Sequence, residues 1–145
     1  MAMTLGLSEA LSAARKTKNV THKVDALRAI PAETKQHLFG VFQLAYNKHI
    51  TWLLPPGVPP YKPLEESTDQ QGRMINELSK FSYFIAKDGQ PVQPQVKTTR
   101  REQLFIAVLE SIAPEDAELL LQIKDRAIKG VSVNVVQKAF PELGL

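Results

Sequence analysis

The chain has no cysteine, so disulfides, thiolate metal sites and cysteine nucleophiles are excluded. No apolar run reaches the roughly 18 residues that a membrane span requires, and the strongest candidates are broken by Lys, Glu or Pro. The first residues lack the basic-then-apolar layout of a secretory signal. These absences make a cytoplasmic protein without a membrane partner the expectation. His22, His37 and His49 are never three to five residues apart, so no helix turn offers two of them to a metal ion. No metal and no cofactor are expected. A serine-centred nucleophile elbow and a GxxxxGK phosphate loop are also missing. The acidic pairs Glu65-Glu66 and Glu115-Asp116 fall beside a loop and at a helix start. There they read as solvated or dipole-complementing groups rather than as an acid and a base.

What is present suits one core. A chain of 145 residues with 43% hydrophobic and 23% charged composition is ordinary globular material, enough for a single domain over 1–145. The apolar spacing is helical almost throughout. It predicts a first helix from about Leu5 to Ala14, with Leu7, Ala10, Leu11 and Ala14 on one side. A second helix, capped by Asn19 or Thr21, carries Val24, Leu27 and Ala29 or Ile30. A third runs from about Ala32 to Leu53, with Pro31 in its first turn. Five prolines in residues 55–63 stop it, and 54–63 reads as a stiff surface strap. A fourth helix is expected from about Thr68 to Ala86, then a loop over Lys87–Lys97. Thr99-Arg100-Arg101-Glu102 has capping-box spacing for a fifth. Pro114 opens a sixth, apolar nearly all round through Leu119-Leu120-Leu121, Ile123 and Ile128, with Gly130 closing it. Ser132 caps a short last helix, Val133 to Phe140. The expected fold is therefore all-α, a compact single-domain bundle of about six to seven helices.

Lys87-Asp88-Gly89 is one residue short of the Lys-x-Asp-Gly in which a lysine amine attacks a nucleotide α-phosphate. Asp-Gly is a common turn pair, and the segment reads as a turn between helices. No residue set has spacing workable for catalysis, so the chain is expected not to be an enzyme.

Charge is distributed unevenly. Residues 1–63 hold eight Lys or Arg against three Asp or Glu, whereas 101–145 hold five against seven. A basic half and a mildly acidic half give a sided molecule, with one face suited to a polyanion. In the last helix Asn134, Gln137 and Lys138 share a face by their spacing, while Val133, Val136 and Phe140 are placed on the buried side. Amides with one lysine suit sugar and phosphate contacts better than dense base readout. The turn at Ser132 would present backbone N–H groups and a favourable dipole to phosphate. Lys16 and Lys18, in the connector after the first helix, form a second candidate clamp. Lys48 and Lys129 complete the candidate set. Trp52 and Tyr46 could stack on bases, but aromatic residues at helical spacing belong more often to the core.

The closing run Lys129-Gly130-Val131-Ser132-Val133-Asn134-Val135-Val136-Gln137-Lys138-Ala139-Phe140-Pro141-Glu142-Leu143 resembles the end of the N-terminal DNA-binding domain of ATP-dependent DNA ligases, especially the phage type. In that family a Gly-[Ala/Val]-Ser turn leads to an Asn-Lys-[Val/Ala]-[Phe/Trp]-Pro ending. Leu38–Asn47 resembles the family's helix with a repeated aliphatic-Tyr pattern, followed by an aromatic turn and Pro55-Pro56-Gly57. Lys16-Thr17-Lys18 resembles the basic turn after the family's first helix. The resemblance implies a helical domain that grips duplex DNA through its phosphates, largely independent of sequence, here without an adenylation domain. It further implies a phage-encoded protein of DNA replication or repair, acting in the host-cell cytoplasm. Asp125-Arg126 reverses the order of charge usual in the family. The alternative expectation is an interaction module that keeps this scaffold and docks on a replication, repair or host protein through its acidic half or through the strap at Tyr61.

Overall fold

A computed structural model describes residues 7–63 and 78–145. The expected first helix is two short ones, α1 (Leu7–Ala10) and α2 (Ser12–Lys16), joined at Leu11. Leu7, Ala10, Leu11 and Ala14 are buried as their spacing requires. Helix α3 (Val20–Arg28) starts at Asn19, whose Oδ1 accepts the N–H of Thr21 at 2.8 Å and of His22 at 3.3 Å. Such a side chain satisfies two of the donors a helix start leaves open. Helix α4 (Ala32–Tyr46) buries Leu38, Val41, Phe42, Ala45 and Tyr46. Pro31 stands just before it with ψ 144°, outside the first turn where the sequence placed it.

Helix α4 was expected to continue to Leu53 but ends at Tyr46. Asn47 is extended, and its Oδ1 accepts the N–H of His49 at 2.8 Å, a local turn that competes with the next helical bond. Ile50–Trp52 then forms strand β1, as β-branched and aromatic residues favour. The expected fourth helix is corrected in the same way. Its residues 68–77 lie outside the described residues, Leu78–Phe84 is a 3-10 helix, and Ile85–Lys87 is strand β2. Strand β3 (Gln90–Pro91) follows. The three strands pair antiparallel in the order β1-β2-β3, with Thr51 opposite Ala86 and Ala86 opposite Pro91. Asp88 (φ 52°) and Gly89 (φ 81°) close the β2–β3 hairpin. Two successive left-handed residues match the twist of a tight hairpin, and Asp-Gly is a preferred pair there. The molecule is mostly helical, but this small sheet means that it is not all-α.

Helix α5 (Thr98–Ser111) begins after an extended Lys97, without a side-chain cap, so the anticipated capping box does not form. Arg101 is instead buried, donating from Nε to the Tyr83 carbonyl at 2.7 Å and from Nη2 to the Val96 carbonyl at 2.9 Å. Helix α6 (Pro114–Lys124) is the central one, burying Ala117, Leu119, Leu120, Leu121 and Ile123 against α1, α4 and α5. Asp116 is not solvated. It is buried, and its Oδ1 accepts the Ser8 N–H at 3.0 Å, serving an open donor of α1. Helix α6 stops six residues before Gly130, where Arg126 turns left-handed at φ 60°. Helix α7 (Val133–Ala139) and a 3-10 turn at Pro141–Leu143 complete the fold.

Two aromatic groups anchor the core. Trp52 packs on Phe81, Phe84 and Phe105, and Phe140 packs on Phe39 and Phe42. Trp52 and Tyr46 are both buried, so neither stacks on a ligand. The strap crosses α5 and α6, with Pro55 accepting from Lys124 Nζ at 2.9 Å and the Lys62 N–H donating to Glu110 at 2.7 Å. Beneath it is a cavity of about 330 Å³ walled by Leu54, Val58, Phe105 and Ile106. Among the described residues no helix is long and apolar enough to cross a membrane.

Candidate nucleic-acid interface

All eight candidate contact residues, Lys16, Lys18, Lys48, Lys129, Ser132, Asn134, Gln137 and Lys138, are exposed. The fold brings the first group together from opposite ends of the chain. Gly130 has φ 78°, and a Cβ built there would stand 3.1 Å from the Arg15 Cα. Only a glycine permits both that backbone angle and that approach. The end of α2, where Lys16 is the last residue and Lys18 follows in the connector, therefore lies with Arg15 directly against the turn with Lys129. Lys23, in α3, spans the junction, its Nζ donating to the Ala14 carbonyl at 2.9 Å and to the Gly130 carbonyl at 2.7 Å. Burial lowers the Arg15 pKa, and the nearby Glu118 and Asp116 raise it in part.

The loop that carries Lys48 is tied to the same segment. Arg126 donates to the Ile50 carbonyl at 2.6 Å and to the Asn47 carbonyl at 2.7 Å, gripping the loop that carries Lys48. Behind it the buried Tyr46 hydroxyl donates to the Val131 carbonyl at 2.7 Å and accepts the Ile128 N–H at 3.0 Å. The segment 125–131 is thus tied both to the end of α2 and to the Lys48 loop. Arg126, where the charge order departs from the ligase pattern, is spent on holding this turn.

Helix α7 supplies less than its sequence suggests. Ser132 does cap it, but its hydroxyl takes the Val135 N–H at 3.4 Å, removing one donor from the proposed phosphate seat. Gln137 Nε2 donates to the Leu145 carbonyl at 2.6 Å, so this side chain turns back onto the chain. Val133 is 38% exposed, and the buried side is formed by Val135, Val136, Ala139 and Phe140. Asn134 and Lys138 keep their outward placement.

Three cations that buttress this region, Lys23, Arg28 and Lys35, are held by carbonyl oxygens. Lys23 has the two partners just described. Arg28 donates to the Ala139 and Lys138 carbonyls at 3.1 Å each, and Lys35 to the Arg28 carbonyl at 3.2 Å. A carbonyl orients an ammonium or guanidinium without cancelling its net charge, so the outward field is kept. The acid on the turn, Asp125, is engaged by the buried Lys124 at 2.7 Å. Among the described residues no three His, Asp or Glu side chains gather as a metal site. Sequence reasoning missed Lys23, Arg28 and Arg126. Each bonds 76 to 111 residues away, and only the left-handed angle at Arg126 marks any of them as unusual.

The family model that matches the chain spans residues 10–130 and is described as a family of unknown function (DUF6433). The chain belongs to the DUF6433 family. No curated protein matches it. In this DUF6433 protein the matched span holds Lys16, Lys18, Lys48 and Lys129 together with Lys23, Arg28 and Arg126, whereas α7 lies beyond it.

Proposed function

We propose that this DUF6433 protein is a non-catalytic, largely sequence-independent binder of duplex DNA that contacts the phosphate backbone. The observation that carries the reading is the packing of Arg15 on Gly130, which brings the chain next to Lys16 against the chain next to Lys129. Exposed lysines suit phosphate, whose neutralisation releases counterions and supplies sequence-independent affinity. The resemblance to the ligase DNA-binding domain belongs to the same proposal, as does a role in phage replication or repair within the host cytoplasm. The contact set is Lys16, Lys18, Lys48, Lys129, Asn134 and Lys138.

The test is the salt dependence of binding to a 20-base-pair duplex of arbitrary sequence. Replacing Lys16, Lys18 and Lys129 together by Gln should reduce the slope of log K against log salt by about 2.7, from roughly 0.9 per phosphate contact. The loss should be the same for unrelated sequences. A slope near zero in the parent, or a triple variant identical to it, overturns the reading. A second reading rests on the strap, where Val58 is 71% exposed, an unusual placement beside an apolar cavity. It makes the chain a docking module for another protein. Retained partner capture by the triple variant, with no parent affinity for nicked or intact duplex, favours that alternative.

A further inference from the structure

Two of the segments in the proposed DNA face, the end of α2 and the turn at Gly130, are bridged by one side chain as well as by the packing of Arg15 on Gly130. Lys23 is only partly exposed and points along the seam. One of its carbonyl partners, Ala14, lies in the last turn of α2, where helical carbonyls lack intrahelical donors. The other, Gly130, lies in the closing turn, 107 residues from Lys23 in sequence. Two of the three ammonium donors are committed to these oxygens. At the opposite end of α3, Arg28 fixes the end of α7 in the same manner.

Resting on the DNA reading above, we infer that Lys23 is a positioning residue for the phosphate site, holding Lys16 and Lys18 at a set separation from Lys129 without contacting DNA itself. A rigid pair of cationic segments loses less freedom on binding than two independent ones. The role requires two donors in one place, which a guanidinium can also supply. It does not require the lysine's charge to face solvent.

Lys23→Met and Lys23→Arg, measured beside the parent on the same duplex, separate positioning from contact. Lys23→Met should fold to the same helical content and bind about tenfold more weakly, as expected from lost preorganisation. Its salt slope should fall by more than the roughly 0.9 that one direct phosphate contact accounts for, because contacts on both segments are lost together. Lys23→Arg should restore affinity and slope. A Lys23→Met variant with parental binding, or one with a slope reduced by no more than a single contact and not rescued by Arg, overturns the inference while leaving the DNA reading intact. Absence of parent binding overturns both. If Lys23→Met does not fold, side-chain ammonium resonances of the parent decide the matter. Duplex addition should move those of Lys16, Lys18 and Lys129 and leave that of Lys23 in place; a shift of Lys23 equal to theirs rejects the positioning role.

Discussion

Tyr46→Phe is expected to lower the free energy of unfolding by about 2–4 kcal/mol, since it leaves two buried backbone groups without partners. The ring would still fill its place in α4, so the packing loss is small. What disappears is the hydroxyl that donates to Val131 and accepts from Ile128. Both groups are interior, and no water-exposed route replaces the bond. For a domain whose total stability is of the order of 5–15 kcal/mol, this is a large fraction, readable as a lower denaturation midpoint in urea. The same hydroxyl gives an alkaline signature. Burial raises the Tyr46 pKa, opposed in part by the hydrogen bond from Ile128. Tyr61 is raised too, by burial and by Glu118. The neutral phenol is thus favoured in the native state. Its contribution is complete below the ordinary tyrosine pKa of about 10 and is lost as pH rises from there through the folded value. The parent should lose stability above that pH more steeply than Tyr46→Phe; parallel profiles would contradict the assignment.

Gly130→Ala is the second substitution with a large expected effect. The backbone there is left-handed at φ 78°, and the added methyl would meet Arg15 at its Cα, Cγ and Cβ, at 3.1–3.3 Å. The Cα cannot swing aside as a side-chain tip can, so α2 and the closing turn must separate. Angle strain and steric conflict together should cost about 2–3 kcal/mol. Separation would also lengthen the Lys23 bond to the Gly130 carbonyl and spread the lysines on either side. A lower thermal midpoint together with weakened duplex binding is the expected pair of results. Unchanged stability would show that the two segments do not need this approach.

How far the sequence revealed this arrangement depended on the range of the interactions. The buried stripe Leu7, Ala10, Leu11 and Ala14, the all-round apolar α6, and the caps at Asn19 and Ser132 were legible, because each is set by neighbours within a few residues. The core placement of Tyr46 and Trp52 was read from helical spacing, although Trp52 reaches the core from a strand, and the surface course of the strap followed from its prolines. The sheet was hidden. Ile50–Trp52 and Ile85–Lys87 are three residues each, too short for an alternation to register, and they pair across intervening elements. Asp88-Gly89 signalled a turn but not the strands on either side. At the candidate site the exposed lysines could be named from sequence, whereas Lys23, Arg28 and Arg126 could not. Their partners are carbonyls, which every residue possesses and which therefore leave no mark in a pattern of side chains. Gln137 was misjudged for the same reason, its partner being the carbonyl of Leu145.

The seam between α3 and the closing segment has a consequence for biosynthesis. The N-terminal helices leave the ribosome first, and α3 can meet α2 and the Ala14 carbonyl at once, yet its bonds to Gly130, Lys138 and Ala139 wait until residues 130–139 have been made. Such distant pairings slow the search for the native state, so the nascent chain carries these side-chain bonds of α3 unmade while more than a hundred further residues are added.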